Sequence, residues 1–346
     1  MKKFLSMALS AAMILALATG CGGSPQEADG TGGAAAGGET TYTLKFGHDN
    51  NTDASYHAGA LEFQRLVEER TNGQVKIEVF PSAQLGDEAA LLEGVRMGTV
   101  DFAPCGCSNA ATVFPMLGLF SVSYLFQDQQ HFDACVSDDS DMIARIKELV
   151  AAEESGATVG GIFTIGKRSV INSKHPIVEP GDLKGLKLRV MSSPIETQVW
   201  STLGAMPTSI ATSETYSALQ TKVVDGAENA PIIVYSWKFH EVAKYYSLTE
   251  HQFFLSPVFV SDKVAQKLPA ELYGTVMACL AEACAYEREQ DIVINEKALE
   301  DLAAGGCVIN DDVDKEAFIE ILAPLQDEVA GQYGVADVLQ MIRDKM

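Results

Sequence analysis

The stretch from Ala270 to Ala304, "AELYGTVMACLAEACAYEREQDIVINEKALEDLAA", contains no proline and no glycine-rich break. At ~1.5 Å of rise per residue it predicts one helix on the order of 50 Å long. A small domain is shorter than that. The helix is therefore expected to cross between two lobes, and a chain of 346 residues is long enough to supply both.

Upstream of it, strand and helix patterns alternate. "TYTLKFG" (41–47) and "QVKIEVFP" (74–81) have the period-2 spacing of strands, and "VDFAP" (100–104) and "TVGGIFTIG" (158–166) are further strand candidates. Between them lie helical patterns over 54–70, 87–98 and 141–154. A helix between successive strands implies an α/β sheet with parallel strands and helices on its faces. Such sheets bind ligands at the carboxyl ends of strands. A second set is expected to begin near Lys167, with "LKLRV" (186–190) as a strand and helices over 193–204 and 213–223, the latter with Ser213 as N-cap. Residues 239–261 read as two strands after a helix end, and further helices follow from Asp314 to Lys345.

The amino terminus is a targeting segment. Lys2 and Lys3 precede an uncharged apolar run from Phe4 to Ala18, too short for a typical membrane-spanning helix. The sequence "LATGC" that ends it resembles a bacterial lipoprotein lipobox, which implies cleavage before Cys21 and acylation of that cysteine. Residues 22–40, rich in Gly, Ala, Ser and Thr without apolar periodicity, are expected to behave as a flexible linker. The six other cysteines, Cys105, Cys107, Cys135, Cys279, Cys284 and Cys307, lack the paired CxxC spacing of a zinc site and carry no functional assignment.

A net charge of −22 argues against nucleic acid as a partner. The chain has no GxSxG, GxxxxGK[ST] or GxGxxG motif, and "HEVAK" (240–244) places Lys244 where a zinc protease needs its second histidine. No catalytic residue, metal or cofactor is expected. What stands out is local basicity: residues 167–189 hold Lys167, Arg168, Lys174, Lys184, Lys187 and Arg189 against only Glu179 and Asp182. Strand alternation puts Arg189 on the polar side of its strand. Guanidinium is the side chain suited to bidentate capture of a carboxylate.

Four stretches, "TLKFGHDNNTDASYHAGALEF", "VFPSAQLGDEAALLEGVRMGTVDF", "GDLKGLKLRV" and "SETYSALQTKVVDGAENAP", resemble in order and spacing the solute-binding subunit of tripartite ATP-independent (TRAP) transporters, the DctP family. The likeness spans about residues 42–340. It implies a two-lobed, periplasmic-binding-protein-like α/β fold with a long interlobe helix. Lobe I would take residues 41–166 and about 255–294, and lobe II residues 167–254 and about 295–346. It further implies that Arg189 forms the salt bridge to a ligand carboxylate, that Arg168 is a second arginine of the site, and that Asn229 reaches the ligand from the second lobe. Ser192 and Thr212 fall where specificity is tuned, and His48 and Asp49 where the first lobe gives polar contacts. The expected partners are a small organic carboxylate, the small and large TRAP membrane subunits, and the outer face of the cytoplasmic membrane through the lipid anchor. The segment after "VDF" reads "APCGCSN", without the glutamate of sialic-acid-binding members, which argues against that ligand. A secreted enzyme acting on an acidic metabolite and a ligand-sensing lipoprotein are the alternative readings.

Overall fold

The computed structural model describes residues 40–137 and 139–346. The predicted signal segment, most of the linker and Cys21 lie outside the described residues.

The described residues form nine strands: β1 (Tyr42–Gly47), β2 (Val75–Phe80), β3 (Phe102–Pro104), β4 (Ala157–Asn172), β5 (Lys187–Val190), β6 (Met206–Ser209), β7 (Gly226–Asn229), β8 (Tyr245–Ser261) and β9 (Val308–Asn310). The first helices are α1 (Ser55–Arg70), α2 (Glu88–Met97), α3 (Cys107–Ala110), α4 (Gln129–Val136) and α5 (Asp141–Ala152). Then come α6 (Pro194–Thr202), α7 (Thr212–Gln220), α8 (Pro231–Ser236), α9 (Phe239–Val242) and α10 (Asp262–Lys267). The chain closes with α11 (Ala270–Ala304), α12 (Lys315–Gln332) and α13 (Ala336–Arg343). None of the described helices is long and apolar enough to cross a membrane.

The strands form one sheet in the order β2-β1-β3-β8-β4-β7-β5-β6, with β9 also on β8. Its flanks are parallel, as the alternation of strand and helix predicts: β1 with β2 and β3, and β5 with β6 and β7. Its centre is antiparallel, because β4 and β8 pair along nearly their whole lengths. β3 joins β8 at Val258–Val260, and β7 joins β4 at Ser169–Asn229 through Asn172–Gly226. Since β4 and β8 run in opposite directions, the β1–β3 half and the β5–β7 half attach at opposite ends of a two-stranded ribbon. The register of that ribbon shifts between Val159 and Gly161, Thr164 and Lys167, and Arg168 and Val170. Extra residues of this kind bend and twist a ladder locally.

Three expectations change. The strand expected to end at Gly166 continues to Asn172, because Gly166, at a φ of +87°, sits in the register shift and does not terminate the strand. Residues 245–261 are one strand, and Pro257 is accommodated opposite Ile162 within it. Helix α7 starts at Thr212 on an Ala211 N-cap without a side-chain hydrogen bond, so Ser213 is not its cap. The long helix has the predicted bounds. Its buried positions Val276, Leu280, Ala283, Glu287, Asp291, Ala298 and Leu302 recur at helical spacing. Cys105, Cys107, Cys135, Cys279 and Cys307 are buried free thiols, consistent with packing roles.

Candidate functional site at the strand ends

Arg189 ends up inside the protein. Alternation placed it with Lys187 on a polar face, but β5 lies between β6 and β7, and only Lys187, at its start, is exposed. Arg189 is 1% accessible. Its Nε donates to the carbonyl of Ile210 at 2.8 Å and its Nη2 to Oγ1 of Thr212 at 3.2 Å. Nη1 has no partner among the described residues. A guanidinium carries five N–H donors, so three remain unused in a place without bulk water. No carboxylate lies within ion-pair distance of it among the described residues. Burial and the neighbouring Arg168 charge oppose its own, with Glu228 acting the other way, and its pKa is pushed down to about 10.

Arg168, equally buried, has four of its five N–H donors engaged. Nε and Nη2 grip both carboxylate oxygens of Glu228 at 2.6 Å, Nη2 also reaches the Glu228 carbonyl at 2.9 Å, and Nη1 donates to Oδ1 of Asn229 at 3.0 Å. The ring of Phe254 lies 4.9 Å from the guanidinium carbon. That ring needs a glycine beside it, since a Cβ on Gly106 would stand 2.0 Å from its Cζ. Burial works against an ionised Glu228, but the Arg168 charge and its hydrogen bonds win and hold the carboxyl down at about 2.

Two small pockets adjoin these arginines. One, about 60 Å³, is lined by Arg189, Ser192, Thr212, Asp49, Glu88 and Asn109, among others. The other, about 20 Å³, is lined by Arg168, Asn229, Thr212, Tyr56, Asn50 and again Asp49, Glu88 and Asn109. Their shared walls make them two ends of one site. It sits where the sheet topology predicts, just beyond the carboxyl ends of β1, β3, β5 and β7. The Asp87 N-cap, whose side chain accepts from the Ala90 amide, sets the first turn of α2 and so the place of Glu88. Oδ1 of Asp49 and Nδ2 of Asn50 are buried without partners among the described residues. Oη of Tyr56 is unpaired as well; buried polar atoms are nearly always paired, so four orphans around one small site, with Nη1 of Arg189 among them, mark a place built for a polar guest.

Six of the seven residues expected to bind ligand line these pockets: Asp49, Arg168, Arg189, Ser192, Thr212 and Asn229. His48 does not. It is buried behind the site with Nε2 3.1 Å from Nδ1 of His57, and burial together with that neighbour pushes its pKa down to about 3. Glu88, Asn109, Asn50 and Tyr56 were missed, and their cue was weak: carboxamides, carboxyls and phenols scattered through the stretches that follow β1, β2 and β3. Asn109 is central. Its Nδ2 donates to Glu88 at 2.6 Å and its Oδ1 accepts from the Ser192 amide at 3.2 Å, so it links the two halves of the sheet. Ser108 to Glu196, at 2.7 Å, and Ser236 to Asp53, at 2.6 Å, make further links.

A larger cavity of about 360 Å³ opens elsewhere, along α11, between Lys167, Glu250, Asp291 and Asn295. Size does not outweigh chemistry here, because three of its four charged groups already have partners: Lys167 pairs with Glu250 and Asp291 accepts from Asn295.

Comparison with known proteins agrees with this architecture. The model of the DctP family, described as bacterial extracellular solute-binding protein, family 7, matches residues 46–332. The 2,3-diketo-L-gulonate-binding periplasmic protein YiaO of Escherichia coli K12 is 32% identical over 284 residues, covering 81% of this chain and 84% of its own. The TRAP periplasmic solute-binding protein of Sulfitobacter sp. NAS-14.1, solved with bound β-D-galacturonate, has a TM-score of 0.82 at 27% identity, covering 87% of this chain and 99% of that one. The corresponding protein of Sulfurospirillum deleyianum, solved with succinate, has a TM-score of 0.81 at 27% identity, covering 89% and 100%. The matched family model spans both halves of the sheet and the long helix between them, and the chain belongs to the DctP family of bacterial extracellular solute-binding proteins.

Proposed function

We propose that this protein captures a small organic carboxylate on Arg189 outside the cytoplasmic membrane and delivers it to the small and large membrane subunits of a TRAP transporter. The observation that carries the reading is the buried Arg189 guanidinium with three unused N–H donors at a polar pocket. A carboxylate can accept two of them side by side, and hydrogen bonds to charged groups contribute roughly 1.5–3 kcal/mol each when water is excluded. Thr212 orients the guanidinium, and Ser192 and Asn229 add polar contacts. The two halves of the sheet act as lobes that close over the ligand, with the bulged β4/β8 ribbon as the hinge. The ligand favours the closed form because it contacts both lobes only there. Cys21 carries the lipid that tethers the protein to the membrane, with the linker as leash.

The test is a thermal-shift screen against carboxylates, followed by calorimetry and recovery of the bound compound. A true ligand at a hundredfold over Kd adds ~2.7 kcal/mol of apparent stability and is recovered chemically unchanged. A panel that leaves the melting temperature unmoved, or a compound recovered as product, overturns the proposal.

A further inference from the structure

We infer that Asp49 and Glu88 form an acceptor wall beside Arg189 that selects monocarboxylates bearing hydroxyl groups, that is sugar acids, over dicarboxylates. The inference rests on the reading that Arg189 takes the ligand carboxylate.

Asp49 and Glu88 line both pockets, and in the larger of the two they share the lining with Arg189. Arg168 cannot serve a second ligand carboxylate in the same way, since Glu228 already occupies both arms of its fork. The other unsatisfied buried atoms of the site are an acceptor, Oδ1 of Asp49, an amide donor, Nδ2 of Asn50, and the Tyr56 hydroxyl, which can do either. Glu88 is held in place by Asn109. Burial raises the pKa values of both Asp49 and Glu88, and the Glu88 charge raises that of Asp49 further; these acceptors share a pocket lining with the unpaired Asn50 and Tyr56 donors. A hydroxyl group, itself donor and acceptor, satisfies both. A second ligand carboxylate instead brings another negative charge against two carboxyl groups in a desolvated space, where like charges are hard to ionise together. A site built to hydrogen-bond a hydroxyl also rejects an analogue that lacks it, by up to about 10⁴-fold.

The experiment is titration calorimetry of the protein and of Glu88→Gln, Asp49→Asn and Arg189→Lys with four- to six-carbon aldonates and uronates, and with succinate. The expected result is a best sugar acid bound at least a hundredfold more tightly than succinate. Either acid-wall variant should narrow that ratio at least tenfold, with succinate gaining affinity. Succinate binding as tightly as any sugar acid, while Arg189→Lys weakens both, overturns the acceptor wall and leaves the arginine clamp standing. A ratio unchanged in both Glu88→Gln and Asp49→Asn does the same. Unchanged binding in Arg189→Lys, or no binding of any acid, overturns the clamp and this inference with it.

Discussion

Arg168 and Arg189 are buried to the same degree, lie on neighbouring stretches of the same sheet and face the same site, yet their surroundings are opposite. Arg168 has four hydrogen bonds and a fully engaged carboxylate. Arg189 has one carbonyl, one hydroxyl and no counter-ion within ion-pair distance among the described residues. The difference separates architecture from recognition: a buried cation that is matched internally is part of the frame, and one left unmatched is, under the proposed function, the place for an external anion.

The largest effect should come from breaking the matched pair. Arg168→Ala leaves Glu228 buried with only His251 nearby, at 3.3 Å, and should cost about 3–5 kcal/mol of stability in denaturant unfolding. The unmatched arginine should behave in the opposite sense. Arg189→Met should leave the ligand-free protein as stable as before or more so, since an apolar side chain replaces an uncompensated buried charge. Arg189→Lys should keep the fold and weaken ligand binding by about a hundredfold in calorimetry, because a point charge cannot replace a planar fork. Equal losses of stability at both positions would erase the distinction.

Acid sharpens it further. The pKa of Glu228 falls from 4.5 to about 2 on folding. Its contribution is fully present above about pH 4.5 and is lost as the pH falls toward 2, an effect on the order of 3 kcal/mol. Glu196, which burial and the nearby Glu228 charge lift to about 7, acts with the reverse sign: its cost is absent below about pH 4.5 and grows as the pH rises through 7. Unfolding curves between pH 3 and 8 should therefore flatten at the acid end in Glu228→Gln and at the neutral end in Glu196→Gln. The smallest effect belongs to Thr212→Val, which removes one hydrogen bond to Arg189. It should weaken binding about fivefold, or ~1 kcal/mol, with stability nearly unchanged.

How much of this was legible beforehand depended on whether a signal was local. The helices over 55–70 and 141–152 declared themselves through apolar spacing, the one over 270–304 through its long run without proline, and Arg189 through its motif. β6 and β7 did not. "MPTS" and "GAEN" have no apolar alternation, and β7 buries Glu228 because Arg168, 60 residues away in sequence, neutralises it. The joined-up lengths of β4 and β8 were hidden for a related reason: Gly166 and Pro257 look like stops, and only pairing with the other strand carries each one through. The basicity of residues 167–189 was real but misleading as a patch. Lys167 and Lys174 are engaged by Glu250 and Asp225 at the surface, and only the two arginines turn inward.

The β4/β8 ribbon has a mechanical consequence. Its two strands are laced together by backbone hydrogen bonds, so neither can bend without dragging the other, and the irregular steps at 164–167 and 168–170 supply the slack. Motion between the two ends is thereby funnelled into one torsional spring instead of two independent pivots. Arg168 is built into that spring, so tension in the ribbon is felt directly at the lining of the candidate site.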